Sequence, residues 1–156
     1  MKIKRKLFLS ALVLSFSAFS FAQTNTKKPA VTPVATKTEI VKSSPAYAEV
    51  LLRKTELLSE LESLLVEYTE EFPKVKDLRF ETGLLQKEMD RLLAQNVTDA
   101  SRLSAALGKL MVRKCELETD LWNLQKQFND QHPDVKRARR KAEIFENAII
   151  EILQGK

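Results

Sequence analysis

The sequence predicts an all-α fold: two tandem αα-hairpins in an up-down-up-down four-helix or coiled-coil arrangement. Three observations predict it: a sixty-residue internal repeat, apolar residues stepping by three and four through each copy, and a proline dividing each copy in two. The composition agrees. Only 3 glycines occur in 156 residues, which leaves little material for the tight turns of a sandwich or barrel, or for a phosphate-cradling loop. A charged fraction of 30% is too high for a polytopic membrane protein. One Cys excludes an internal disulfide, and one Cys with one His argues against an all-protein structural zinc site.

The chain opens with an export signal. Lys2, Lys4, Arg5 and Lys6 form a positive n-region, Leu7 to Phe21 are apolar apart from serines, and Ser20-Phe21-Ala22 places small residues where a signal peptidase reads them. Residues 1–22 are therefore expected to be removed, with Gln23 as the new N-terminus. The alternative is a retained transmembrane anchor, but the run falls short of the roughly 20 apolar residues a bilayer requires. No Cys follows the h-region to carry a lipid. The destination implied is the periplasm or the outside of a bacterial cell.

The net charge of +5 loses its meaning once this segment is set aside. Four of the 26 Lys and Arg residues lie in 1–22, which leaves 22 against 21 acidic groups, so composition gives no reason to expect nucleic acid as a partner. Residues 23–45 carry Pro29, Pro33 and Pro45 among Thr, Ser and Lys, with almost no large apolar groups. Such a segment buries too little to offset its ordering entropy and is expected to be a flexible tether.

The repeat begins near Val50. Arg53, Lys54, Glu56, Leu57, Leu61, Leu64, Pro73, Val75, Lys76 and Arg79 recur without a gap as Arg113, Lys114, Glu116, Leu117, Leu121, Leu124, Pro133, Val135, Lys136 and Arg139. Before the proline, Val50, Leu57, Leu61, Leu64 and Tyr68 make one seam, mirrored by Leu110, Leu117, Leu121, Leu124 and Phe128. After it, Val75, Leu78, Leu85, Met89 and Leu92 are mirrored by Val135, Ala138, Phe145, Ile149 and Ile152. Both runs have the period of amphipathic helices.

A proline inside a continuous helix deletes a hydrogen bond and costs about 3 kcal/mol, whereas at the first position of a new helix its missing N–H costs nothing. The residue before it is pushed out of the α region, so Phe72 and His132 become the breaks. Tyr68, Phe72, Pro73, Phe128, His132 and Pro133 are then the hairpin corners, at the same end of the rod. The alternative is a long kinked helix that needs partner chains to cover its seams. The hairpins are placed at 46–95 and 99–154, with helices near 46–71, 73–95, 99–131 and 133–154. Thr98 or Asp99 is the expected cap of the third, which Leu103 and Leu107 make longer than the first.

The chemistry-bearing residues are few. His132, the one histidine, has Phe72 as its counterpart, so the position accepts a ring with no titratable proton, and a packing or turn role follows. Lys136, Arg137, Arg139, Arg140 and Lys141 form a basic run that could contact an anionic glycan, a lipid headgroup or a protein partner. Its counterpart, Lys76, Asp77, Arg79 and Glu81, is of mixed charge, so a solvated helix face is the default. Trp122 is expected to pack against a neighbouring helix. Lys54 and Lys114 fall on the seams, to set register or to snorkel to water. Cys115, by helical phase off the leucine seam, is expected to be an incidental free thiol rather than an intermolecular link. No catalytic constellation, metal set or cofactor motif is visible, so a non-enzymatic protein without cofactors is expected.

Each corner, Leu61-x2-Leu64-x3-Tyr68-x3-Phe72-Pro73-x-Val75-x2-Leu78 and Leu121-x2-Leu124-x3-Phe128-x3-His132-Pro133-x-Val135-x2-Ala138, resembles the L-x2-L-x3-Y-x3-HP-x-V-x2-L element of polysaccharide chain-length determinant proteins of the Wzz/GumC type. The first copy keeps the tyrosine and the second keeps the His-Pro. The resemblance implies a periplasmic coiled-coil module and a link to surface polysaccharide assembly. Members of that family also carry two bracketing transmembrane helices and often a cytoplasmic kinase domain, which this sequence does not display. The functional expectation is thus an exported structural or protein-interaction module of the cell envelope, homo-oligomeric or bound to an envelope protein. Two rivals stand beside it: a holdase similar to the Skp-type periplasmic chaperones, and an anionic glycan or lipid binder using residues 136–141.

Overall fold

In the computed structural model, residues 36–95 and 100–154 are described, and all of them fall in one folding unit. The expected signal segment 1–22 and the proposed caps Thr98 and Asp99 lie outside the described residues. Five α-helices follow one another: α1 (Lys37–Lys42), α2 (Pro45–Leu65), α3 (Pro73–Ala94), α4 (Ala105–Gln125) and α5 (Pro133–Gln154), with a 3₁₀ turn at Ala100–Arg102. No strand occurs among the described residues. The helices fold back on one another: α2 packs along α3 and α4 along α5, so the hairpin expectation holds.

Two expected boundaries move. Of the tether expected over 23–45, residues 23–35 lie outside the described residues, and the rest is ordered structure, because Thr36 and Glu39 form a capping box that starts α1. Val41 on that short helix is buried in the main core, and Ser44 both donates to the Val41 carbonyl at 2.6 Å and caps α2 at the Tyr47 N–H. One well-buried valine and two serine bonds anchor what composition alone reads as linker. The third helix starts at Ala105 rather than 99, capped by Ser104, and is the same length as α2, 21 residues or about 32 Å. Leu103, fully buried, lies ahead of the helix and accepts the Ala46 N–H at 3.0 Å, which fixes the start of α2 to the start of α4.

Leu57, Leu61, Val75, Leu78, Leu85, Met89 and Leu92 of the first hairpin are buried, as the seams require. In the second, Leu117, Val135 and Ile149 are buried, while Leu121, Leu124, Ala138 and Phe145 are only partly so. The difference follows from helix order. The first hairpin is covered by α4, which packs on α2, α3 and α5, whereas α5 leans mainly on α4. Cys115 is a free thiol, as expected, but its expected place off the apolar face is overturned for the same reason. As the central helix, α4 is buried on more than its leucine seam, and Met111, Cys115 and Thr119 face inward too. The Cys115 thiol has no exposure and its pKa is pushed up to about 12, by burial first and by the Glu88 and Glu118 charges second.

Candidate interaction surface

The two corners are built alike. In the first, the Tyr68 N–H reaches the Leu64 carbonyl at 2.8 Å, Phe72 bonds back to Thr69 at 3.0 Å, and the Tyr68 and Phe72 rings stack at 4.2 Å. In the second, Phe128 reaches Leu124 at 2.9 Å, His132 bonds to Asn129 at 3.0 Å, and the Phe128 and His132 rings stack at 4.2 Å. Phe72 is extended at φ −61°, ψ 130°, as a residue before proline must be, and Pro73 and Pro133 each open a helix. Tyr68 and Phe128 therefore belong to the corners and not to the helical seams, because α2 and α4 end at Leu65 and Gln125. His132 also takes a capping duty: its Nδ1 accepts the Asp134 N–H at 3.3 Å.

The basic run divides. Arg139 donates to Asp130 at 2.6 Å and braces the second corner, as Arg79 braces the first by pairing with Glu70. Hydrogen bonds from Gln125 and Arg139 hold the Asp130 carboxyl below its ordinary range. Arg137 pairs with Asp134 and Arg140 with Glu143 across one helical turn, both at the surface, where such pairs are weak. Lys136 and Lys141 are exposed on the same helix. Four of the five charges thus remain on an open face.

Lys114 does not snorkel to water, one of the two roles expected of it. Its ammonium lies 2.6 Å from Glu88, 2.9 Å from Glu146 and 3.5 Å from Glu118, and Arg91 meets Glu146 at 3.0 Å. This cluster ties α3, α4 and α5 together near the middle of α4. Burial penalises the ammonium, but the bonds to Glu88 and Glu146 outweigh it and raise the Lys114 pKa. Trp122 does pack on a neighbouring helix: it stacks on Phe80 of α3, and Lys126 sits 3.2 Å above its ring.

The surface that sequence reading missed is on α2. Leu51, Leu52 and Leu58 are exposed, and Val66 at the end of the helix is 84% exposed. Leu51 and Leu58 stand seven residues apart, a second seam beside the buried Val50 and Leu57, and the two seams merge at Leu64 and Leu65, both half-buried against the core. The doublets Leu51-Leu52, Leu57-Leu58 and Leu64-Leu65 were its visible signal, since a helix hiding one seam against one partner needs only one member of each. Along the flank between α2 and α4 runs a shallow groove of about 330 Å³, lined by Glu49, Leu52, Arg53, Lys109, Val112 and Arg113 among others, mostly charged.

No helix among the described residues is long and apolar enough to cross a membrane. No protein-family model matches the chain, and neither a curated protein nor a solved structure matches it.

Proposed function

We propose that this chain is an exported, non-enzymatic helical-hairpin protein of the bacterial cell envelope, working as a structural or protein-interaction module. What carries the reading is the exposed apolar stripe of Leu51, Leu52, Leu58 and Val66 on α2, a helix whose other face is fully used in the core. A helix with two apolar seams and one filled has capacity for a partner. The signal-like segment 1–22 supports export, and the two corner motifs support a role near surface polysaccharide assembly.

The rival readings draw less support. A holdase grips clients in an apolar cavity, whereas the α2/α4 groove is lined mostly by charge. A glycan or lipid binder through residues 136–141 would have to do without Arg139, which is held at the corner.

The test is a photo-crosslinker placed at Leu51 or Leu58, with a control at the exposed Lys87 on α3, in cells with an intact envelope. Crosslinks from the α2 positions to one identified envelope protein, or to a second copy of the chain, are the expected result. Equal labelling from Lys87, or a strict monomer with no crosslinked product, overturns the proposal.

A further inference from the structure

We infer that a second copy of this chain docks on the first by repeating, between molecules, the packing that seats the second hairpin on the first within one molecule, an inference that deepens the interaction-module reading above and rests on it. The donor face is duplicated in the chain but hidden only once. Gly108, Met111, Cys115 and Thr119 of α4 are buried against their neighbours, and Trp122 is half-buried. The residues sixty positions earlier are Ala48, Leu51, Thr55, Ser59 and Glu62 of α2, and every one is exposed. The element bounds keep the same offset, Pro45–Leu65 against Ala105–Gln125 and Pro73–Ala94 against Pro133–Gln154. So α2 shows to solvent the face that α4 hides.

The receiving face is also present twice. In the first hairpin, α4 is met by Arg53, 3.7 Å from Glu116, by Phe80 on Trp122, and by Asp77, 3.2 Å from Lys126. The corresponding residues of the second hairpin are Arg113, Arg140 and Arg137, all exposed. Beside them Arg137 and Lys141 rim an open groove of about 260 Å³ between α4 and α5, with Leu117 and Leu124 among its walls. Nearby Ile144 is 55% exposed, while its counterpart Leu84 packs against the core.

At two of these three points the chemistry changes in matched pairs; at the third, Asp77 and Lys126 give way to Arg137 and Val66, which do not pair. Phe80 and Trp122, an aromatic stack within the chain, are replaced sixty residues away by Arg140 and Glu62, a cation and an anion. Had only one of them changed, a charge would face an aromatic ring or nothing. Arg53 and Glu116 are replaced by Arg113 and Glu56, so opposite charge is kept. A second copy whose α2 settles into the α4/α5 flank thus brings Glu62 to Arg140 and Glu56 to Arg113, with Leu51 entering where Met111 sits in the chain. Charge complementarity of this kind fixes register and partner.

A further departure sets the strength. A Cβ at Gly108 would stand 2.7 Å from the Ala46 carbonyl oxygen and the Glu49 Cβ, so the internal contact closes tightly only because no side chain is there. Ala48 occupies that place on α2, and the intermolecular copy stands off at its open end, with contact weighted toward Glu62. Donor and receiving faces differ, so the contact does not close on itself, and copies add in a row, hairpin upon hairpin.

Sedimentation velocity and light scattering, run on the chain as its host processes it over a wide concentration range at low salt, test this. The expected result is a weight-average mass that rises with concentration past that of a dimer. Glu62→Arg and Arg140→Glu each weaken association about tenfold while circular dichroism stays unchanged, and an equimolar mixture of the two variants restores it, because each donor face then meets an opposite charge. A dimer that goes no further, or an Arg140→Glu chain that associates like the parent, overturns the inference. A strict monomer whose Leu51 crosslinker still captures one identified envelope protein overturns it while leaving the proposed function standing. A strict monomer without such a product overturns both.

Discussion

Phe80 on α3 and Trp122 on α4 lie nearly parallel, with ring centroids 4.3 Å apart and 9° between their planes, and this stack fastens the corner end of the first hairpin to the second. Lys126, one turn beyond the tryptophan, covers the ring and reaches Asp77 at 3.2 Å. About two turns closer to the open end the same two helices are joined by Lys114 and Glu88. The hairpins are therefore held by an aromatic clasp near the corners and a charged one at mid-helix.

Removing the aromatic clasp should cost stability without changing helix content. Trp122 is half-buried, so Trp122→Ala forfeits about 2 kcal/mol, less than the 3–5 kcal/mol of a fully buried aromatic. Urea unfolding followed by circular dichroism measures the loss. Trp122→Phe, which keeps a ring against Phe80, should retain more than half of it.

Two glycines in regular helix should respond to alanine with opposite signs. At Gly108 the added methyl meets the Ala46 backbone, which cannot swing away, and the forced separation of α2 from α4 costs about 1–3 kcal/mol. At Gly83 nothing lies within 4 Å, so alanine only removes unfolded-state entropy and gains about 0.5–1 kcal/mol. Thermal unfolding of the two variants side by side checks the pair. A stabilised Gly108→Ala would mean that α4 does not approach α2 as closely as described.

What sequence could and could not reveal follows from the range of the forces involved. Pro73 and Pro133 act on their own backbone, so the corners were legible, and the three- and four-residue steps of Leu57, Leu61, Leu78 and Leu85 named the inner seam. The burial of Cys115 was missed because it depends on α4 being the central helix, a fact of helix order that periodicity does not carry. Val41 was missed because an isolated Ile40-Val41 pair among Thr, Lys and Ser gives no periodic signal, yet Val41 is buried in the core. Arg139 looked like part of a binding patch until its acid partner Asp130 came into reach across the corner. The open stripe of α2 emerges only once it is known which leucine of each doublet is spent inward.

The Cys115 thiol should be silent in the folded protein. It has no exposure, and a pKa near 12 leaves almost no thiolate at neutral pH, so neither access nor nucleophilicity favours reaction. A disulfide-exchange reagent should modify it only at the rate at which the helices open, and at full rate in denaturant. Rapid modification in buffer would show that α4 is not held in the core.

The charged clasp makes the sharpest demand on the fold, because its members are nearly out of water: Lys114 is 12% exposed and Glu88 7%. Breaking a pair so buried leaves the other charge uncompensated, and Lys114→Met should cost about 3 kcal/mol, much of it recovered when Glu88→Leu is added. Its pH dependence has a definite sign on each side. Lys114 is raised above its ordinary value of about 10.4, so its contribution is complete below that pH and is lost as pH climbs through the folded value. For Glu146, burial works against ionisation, but bonds from Arg91 and Lys114 prevail and lower its pKa, so its contribution is present above about pH 4.3 and fades as pH falls through the folded value. Glu118 runs the other way: burial raises its pKa, it costs stability at neutral pH, and it returns that cost on acidification. Glu146→Gln should therefore be less stable than the parent at neutral pH and converge with it in acid, as urea midpoints measured across the range would record. A gap that stays constant down to the lowest pH would mean that Glu146 acts through packing and not through its charge.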